Sequence, residues 1–342
     1  SILAVPTERS RDPAVRTWPK MHVDTPTIPT TRLADLPRLY ATLTKARLST
    51  LVVVTTAVGF LMSSGPTIDW WRLLWTVLGT MACALSANAL NLVIETRRDR
   101  LMDRTKNRPT PSGSLSIPHA FIFAIVLGYA GLFVLALFVN LAAAALALAT
   151  LLLYLLAYTP LKPVSTLNTL VGAIVGGIPP VIGWVAVRNT FDVQAWSLGA
   201  ILFVWQLPHF LSLAWLYRDQ YADAGFRMLP VVRGGTTLTA EITLLTTLLL
   251  VPLALTATLS GMAGLVYAAI SFVLGLGFAW YALQFFRKRD RSTARATFLF
   301  SLLYLPVLLA AMVLDRNIVP SDELITVDMN PDAIMQPLPA RD

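Results

Sequence analysis

The chain has 342 residues, 56% of them hydrophobic and 13% charged, with 27 Lys and Arg against 19 Asp and Glu and a formal net charge of +8. Soluble domains carry about 25% charged residues, and several apolar runs here exceed the ~18 residues that cross a bilayer, so an ordinary water-soluble protein is excluded. The net positive charge does not argue for nucleic acid, because the cations fall between apolar runs, where they orient helices and face anionic lipid. The expected fold class is an all-α polytopic membrane protein. The one cysteine, Cys83, sits inside an apolar run and reads as a small packing residue.

Residues 1–35 are rich in Pro, Thr, Arg and Asp without periodicity and read as a disordered cytoplasmic tail. They lack the basic and apolar regions of a signal peptide, and Glu8, Asp12 and Asp24 count against a mitochondrial transit segment. Residues 36–46 (LPRLYATLTKA) predict a short amphipathic helix at the membrane surface. Nine spans are expected, at about 47–64, 71–95, 118–138, 141–158, 167–187, 195–217, 237–259, 263–285 and 296–314. Basic residues collect after spans 2, 4, 6 and 8, whereas Arg188 is nearly alone in the alternate loops. The positive-inside rule then puts the N-terminus in the cytoplasm and the acidic tail 317–342 outside; the expected location is a bacterial cytoplasmic (inner) membrane.

The least apolar stretch is 88–113, NALNLVIETRRDRLMDRTKNRPTPSG. Asn91, Glu95, Asp99 and Asp103 recur every fourth residue, which on a helix stacks them on one face. Like charges so placed repel and invite a cation, and oxygen ligands suit Mg²⁺, which takes one or two carboxylates plus substrate phosphates. Arg104, Lys106 and Arg108 follow, then Pro109, which is expected to end the helix. Carboxylates for a metal beside cations for an anion is the composition of a metal–diphosphate site; a solvated loop that only sets orientation has the same composition.

Further along, YTPLKPVSTLN at 158–168 brings Tyr158, Lys162 and Asn168 within reach of a shared site, or is a Pro-rich connector. In GAIVGGIPPVIGW, Gly172 and Gly176 form a GxxxG packing face, and Pro179–Pro180 is expected to break the helix at membrane depth, where a cavity or close packing satisfies the freed carbonyls. WQLPHF at 205–210 puts Gln206 and His209 inside a span, a costly placement that marks function or an interhelical hydrogen bond. After span 6, YRDQYADAGFRMLPVVRGG repeats the i,i+4 carboxylates as Asp219 and Asp223, among Tyr217, Arg218, Tyr221 and Arg227. Two acidic clusters in loops of equal sidedness suit a diphosphate held between them by bridging metal ions.

At these residues the chain resembles the UbiA superfamily of intramembrane prenyltransferases, whose first motif, N-x-x-x-D-x-x-x-D, is met by Asn91, Glu95 and Asp99 with Glu in the middle place. DRLMDRTKNRP, NTLVGAIVGGIPPVIGW, WQLPHF, AGFRMLPVV and SLLYLPVLLAAMVLDR look most like its haem-farnesylating branch, over about residues 40–316. The resemblance implies a nine-helix transmembrane domain at 36–316 that uses Mg²⁺, farnesyl diphosphate as donor and haem B as acceptor, to give haem O and pyrophosphate. It implies metal ligands at Asn91, Glu95, Asp99 and Asp219, with Asp223 beside them. It implies substrate contacts at Arg104, Lys106, Arg108, Lys162, Arg218, Tyr217, Tyr221 and His209, the last toward haem. A haem A synthase or the assembly of a terminal oxidase is the implied downstream partner. One position departs from the pattern: where the second motif has Asp before Tyr, this chain has Gln220, preceded by Asp219. The rival readings are a UbiA-type enzyme with another aromatic or tetrapyrrole acceptor, a membrane transporter, and a non-catalytic scaffold.

Overall fold

A computed structural model describes residues 36–317. The expected tail 1–35, and all of the expected tail 317–342 after Asn317, lie outside the described residues. Twelve α-helices follow in order: α1 (Leu36–Leu43), α2 (Ala46–Ser63), α3 (Trp70–Asp99), α4 (Ile117–Phe138), α5 (Leu141–Leu152), α6 (Thr159–Leu161), α7 (Asn168–Arg188), α8 (Val193–Leu216), α9 (Arg218–Asp223), α10 (Gly235–Leu259), α11 (Leu265–Lys288) and α12 (Arg291–Leu314). Eight helical segments are long and apolar enough to cross a membrane, with α5 running through to Leu161; α1 and α2, bent by 64° at their junction, pass the same test only when counted together as one broken span. The protein is an integral membrane protein.

Local chemistry sets the helix ends. Asp69, Asn140 and Asp290 each accept a hydrogen bond from the backbone N–H three residues on, capping α3, α5 and α12. The Asp315 carboxylate caps α11 from the far end of the chain, accepting from the Tyr267 N–H at 2.7 Å. Exposed Ile122, Val126, Tyr129 and Phe133 mark one stripe of α4, which faces lipid. Buried hydroxyls do not disrupt the bundle, because Thr239, Thr243 and Thr247 bond back to carbonyls four residues earlier on α10.

Two expectations change. The 91–103 row does not form one helical face. α3 stops at Asp99, ten residues before Pro109. Its exit is strapped back by Thr105 Oγ1 to the Asp99 carbonyl (2.8 Å), Thr96 Oγ1 to Thr110 Oγ1 (3.0 Å) and Arg100 Nε to the Pro111 carbonyl (3.0 Å). Asp103 thereby falls in the exposed turn, bonded to Lys106 at 2.6 Å, which holds its carboxyl below the usual range. Nor does Pro179–Pro180 break the span: α7 runs unbroken from Asn168 to Arg188. Its backbone lies against α2, where a Cβ at Gly183 would meet the Thr56 carbonyl and fall 2.7 Å from the Phe60 nitrogen. Close packing against neighbouring helices lets a span tolerate proline without breaking.

The 30-residue α3 is about 45 Å long at 1.5 Å per residue, against a hydrocarbon layer of about 30 Å. Its last turns therefore project past the apolar layer and carry Glu95 and Asp99 to the interface. Three loops meet there. The Arg227 N–H donates to the Lys162 carbonyl (2.8 Å), Asn168 Nδ2 to the Arg227 carbonyl (3.0 Å), and Arg104 Nη2 to the Tyr221 hydroxyl (3.4 Å).

Candidate active site

Beneath the joined loops lies a cavity of about 380 Å³. Glu95, Asp99, Arg104, Arg108, Lys162 and Lys45 line its mouth. Deeper walls are apolar and come from α2, α3, α5, α7 and α8, with Val52, Cys83, Leu151, Ile182, Leu202 and Trp205 among them. Gln206 and His209 are polar groups on that deeper wall.

Each buried acid of α3 is met by a cation from elsewhere in the chain. Lys162 Nζ donates to Glu95 Oε1 at 2.8 Å, with side-chain exposures of 10% and 7%. Arg108 Nη1 donates to Asp99 Oδ2 at 2.8 Å. Asn91 is fully buried behind them and does not line the cavity; it accepts from Lys45 Nζ (2.7 Å) and donates to Thr159 Oγ1 (3.1 Å). Burial disfavours the Lys162 ammonium, but Tyr158 and Glu95 outweigh it and hold its pKa above the ordinary lysine value. Lys45, at the bend between α1 and α2, adds a further cation beside Lys162 and Arg108. The mouth thus holds more positive charge than its two carboxylates balance, a field suited to a polyanion.

A local irregularity positions the remaining wall. Leu153–Tyr158 is a π-helical turn, closed by the Thr159 N–H on the Tyr154 carbonyl. Such turns concentrate at functional sites. This one directs Tyr154 and Tyr158 to the cavity and brings Thr159 to Asn91. The Lys162 ammonium lies 4.5 Å from the Tyr158 ring centroid. Gly172 and Gly176, read as a helix-packing pair, instead make room for side chains: a Cβ at Gly172 would lie 2.7 Å from Tyr158 Cε2, and one at Gly176 would strike the Gln206 amide.

The second acidic cluster is placed differently. Asp219 is 86% exposed and 3.5 Å from Arg218 Nε, and Asp223 is exposed; neither lines the cavity. Tyr221 is the α9 residue on the cavity wall. The Gln220 Oε1 is buried with no hydrogen-bond partner among the described residues. Arg218 lies over Trp215 (5.1 Å), and Tyr217 lies under the Arg104 guanidinium (5.2 Å). Lys106 is exposed on Asp103 and away from the cavity. Lys45 and Tyr154 were not singled out from the sequence: a lone lysine at a helix junction and a tyrosine inside a span carry no spacing signal.

Among the described residues no three His, Cys, Asp or Glu side chains converge into a metal cage. Two carboxylates on one cavity wall nevertheless match Mg²⁺, which takes few protein ligands and completes its shell with phosphate and water oxygens.

Comparison with known proteins gives the family and the fold. The model of the UbiA prenyltransferase family matches residues 52–304. The chain is 42% identical over 302 residues to a protoheme IX farnesyltransferase of Koribacter versatilis, covering 85% of this chain and 97% of that one. It is 43% identical over 278 residues to the Myxococcus xanthus protoheme IX farnesyltransferase, covering 80% and 93%. A mitochondrial protoheme IX farnesyltransferase of Arabidopsis thaliana is 40% identical, over 82% of this chain and 65% of that one. Among solved structures, a digeranylgeranylglyceryl phosphate synthase superposes with a TM-score of 0.70 at 18% identity, over 82% of this chain and 98% of that one. A UbiA homologue of Archaeoglobus fulgidus bound to GPP and Mg²⁺ superposes with a TM-score of 0.62 at 15% identity, over 80% and 99%. On the family match and these relatives, the chain belongs to the UbiA prenyltransferase family.

Proposed function

We propose that this prenyltransferase transfers the farnesyl group of farnesyl diphosphate to a vinyl group of haem B, with addition of water, to give haem O and pyrophosphate. The observation that carries the reading is the cavity itself, charged at its mouth and apolar below, in a chain whose relatives are named protoheme IX farnesyltransferases. The mouth suits a diphosphate and the apolar depth suits a prenyl chain and a macrocycle.

Glu95 and Asp99 are the residues that would hold Mg²⁺, and the ion, when bound, would neutralise charge on the departing diphosphate. Arg108, Lys162, Arg104 and Lys45 bind the phosphate oxygens. They are preorganised for this by their bonds to Asp99, Glu95, Tyr221 and Asn91, so little reorganisation accompanies bond breaking. The farnesyl C1–O bond breaks with its electron pair going to the diphosphate. The vinyl π electrons form the new carbon–carbon bond, and water adds to the resulting cation beside the macrocycle and loses a proton. The apolar walls keep water from the allylic cation until the vinyl carbon attacks it. Asn91 supports the site by orienting Lys45. Asp219 and Asp223 join the metal only if α9 turns inward over bound diphosphate; Arg218, Tyr217 and Lys106 then form the outer rim with them.

The basic loops all stand at one end of the bundle, which supports a cytoplasmic mouth and N-terminus in a bacterial inner membrane, with the C-terminus outside. The test is mass spectrometry of porphyrins after incubating purified protein with haem B, farnesyl diphosphate and Mg²⁺. A product heavier by a farnesyl group plus water is expected. Unchanged haem together with prenylation of an aromatic acid would move the protein to another acceptor class.

A further inference from the structure

His209 is the one histidine on the cavity wall, and its environment constrains it more than a packing role requires. The ring packs against Trp205 of α8 (centroids 5.1 Å, planes 21° apart) and Phe298 of α12 (5.0 Å, 31°), which restrict its plane. Its Nδ1 lies 2.8 Å from the Ser301 hydroxyl. Ser301 is fully buried, and its hydroxyl donates its single proton to the Phe298 carbonyl at 2.6 Å. With that proton on the carbonyl, the hydroxyl oxygen keeps lone pairs that accept from an imidazole N–H. Trp205 Nε1 braces the same residue by donating to the Ser301 carbonyl at 3.0 Å. The Ser301 hydroxyl thus accommodates a proton on Nδ1, and Nε2 has no hydrogen-bond partner among the described residues. His209 is seven residues before the end of α8 at Leu216, about 10 Å below the charged mouth at 1.5 Å per residue.

We propose that Ser301 is a positioning residue that fixes His209 as the Nδ1–H tautomer, so that Nε2 serves as an axial ligand to the iron of a metalloporphyrin in the apolar part of the cavity. The arrangement follows the general pattern of metal-binding histidines, whose other ring nitrogen donates to a neighbouring oxygen that sets tautomer and ring orientation. Coordination at His209 places the macrocycle below the diphosphate subsite, where a peripheral vinyl meets the prenyl C1. The inference rests on the haem reading given above and adds the atom that holds the iron and the residue that aims it.

The experiment titrates full-length protein in detergent with ferric haem B and, separately, with metal-free protoporphyrin IX, following the Soret band and the electron paramagnetic resonance of the iron. For Ser301→Ala, haem affinity falls about 10- to 100-fold, the usual effect of removing a group that orients a metal-binding histidine. His209→Ala loses the nitrogen-ligated spectrum, and added imidazole restores it. Ser301→Thr keeps the hydroxyl and stays close to wild type. Metal-free porphyrin binds all four proteins alike, because only the iron senses the ligand. Haem spectra and affinities that are the same in wild type and His209→Ala overturn the ligand assignment while leaving the haem reading intact. Parallel loss of both porphyrins in the variants overturns it too, by showing a packing role. A wild-type protein that binds neither porphyrin refutes the haem reading and the inference with it.

Discussion

Removing the Lys162 ammonium separates structural from catalytic roles at the mouth. Lys162 and Glu95 are 2.8 Å apart and nearly inaccessible, with side-chain exposures of 10% and 7%. Their gross attraction at an effective dielectric of about 20 is about 6 kcal/mol, most of it offset by desolvation of the two charges. Lys162→Met leaves Glu95 buried without its partner, which costs about 3–5 kcal/mol unless the carboxyl takes up a proton. Lys162→Met combined with Glu95→Gln removes both charges, and much of that cost disappears. Activity follows a different rule. Loss of one preorganised donor to developing charge lowers kcat about 10²- to 10³-fold, and the double variant loses a candidate metal carboxylate as well. Thermal unfolding in detergent and turnover of farnesyl diphosphate are measured on the same preparations. The expected pattern is a destabilised single variant and a double variant near wild type in stability, both almost inactive. A double variant as unstable as Lys162→Met, or a single variant with full turnover, would refute the reasoning.

Asp99→Ala abolishes turnover while the protein still inserts in the membrane, and near-normal haem O formation would remove Asp99 from the metal site. Excess chelator stops the reaction and Mg²⁺ restores it; full activity in chelator contradicts an Mg²⁺-dependent mouth. Gly183→Ala drives a Cβ into the α2 backbone at Thr56 and Phe60, where no rotamer relieves it; a loss of about 1–3 kcal/mol is expected, visible as a lower unfolding temperature.

The membrane class, the span positions and the first acidic motif were legible in the sequence because each is a local property. Hydropathy over some twenty residues specifies a span, and the four-residue spacing of Asn91, Glu95 and Asp99 specifies one helical face whatever packs on it. The mouth and its cations lay within reach of the same reasoning, since Lys162, Arg104 and Arg108 stand out in loops of one polarity. What each of them touches did not. The pairing of Lys162 with Glu95 joins residues 67 apart, and Lys45 reaches Asn91 across 46; only packing of separate helices decides such partners. The exit of α3 at Asp99 depended on Thr105, Thr110 and Arg100 folding back, which left Asp103 in water although its spacing matched. Pro179 and Pro180 stayed helical because α2 presses on that backbone, a tertiary constraint that overrides the local rule. The side-chain directions of Gln220 and Asp219, adjacent in sequence, were set by how α9 seats on the loops, and the Nδ1 of His209 met a serine 92 residues away. Sequence spacing determines which residues can share a face, and the tertiary structure determines which of those faces meet.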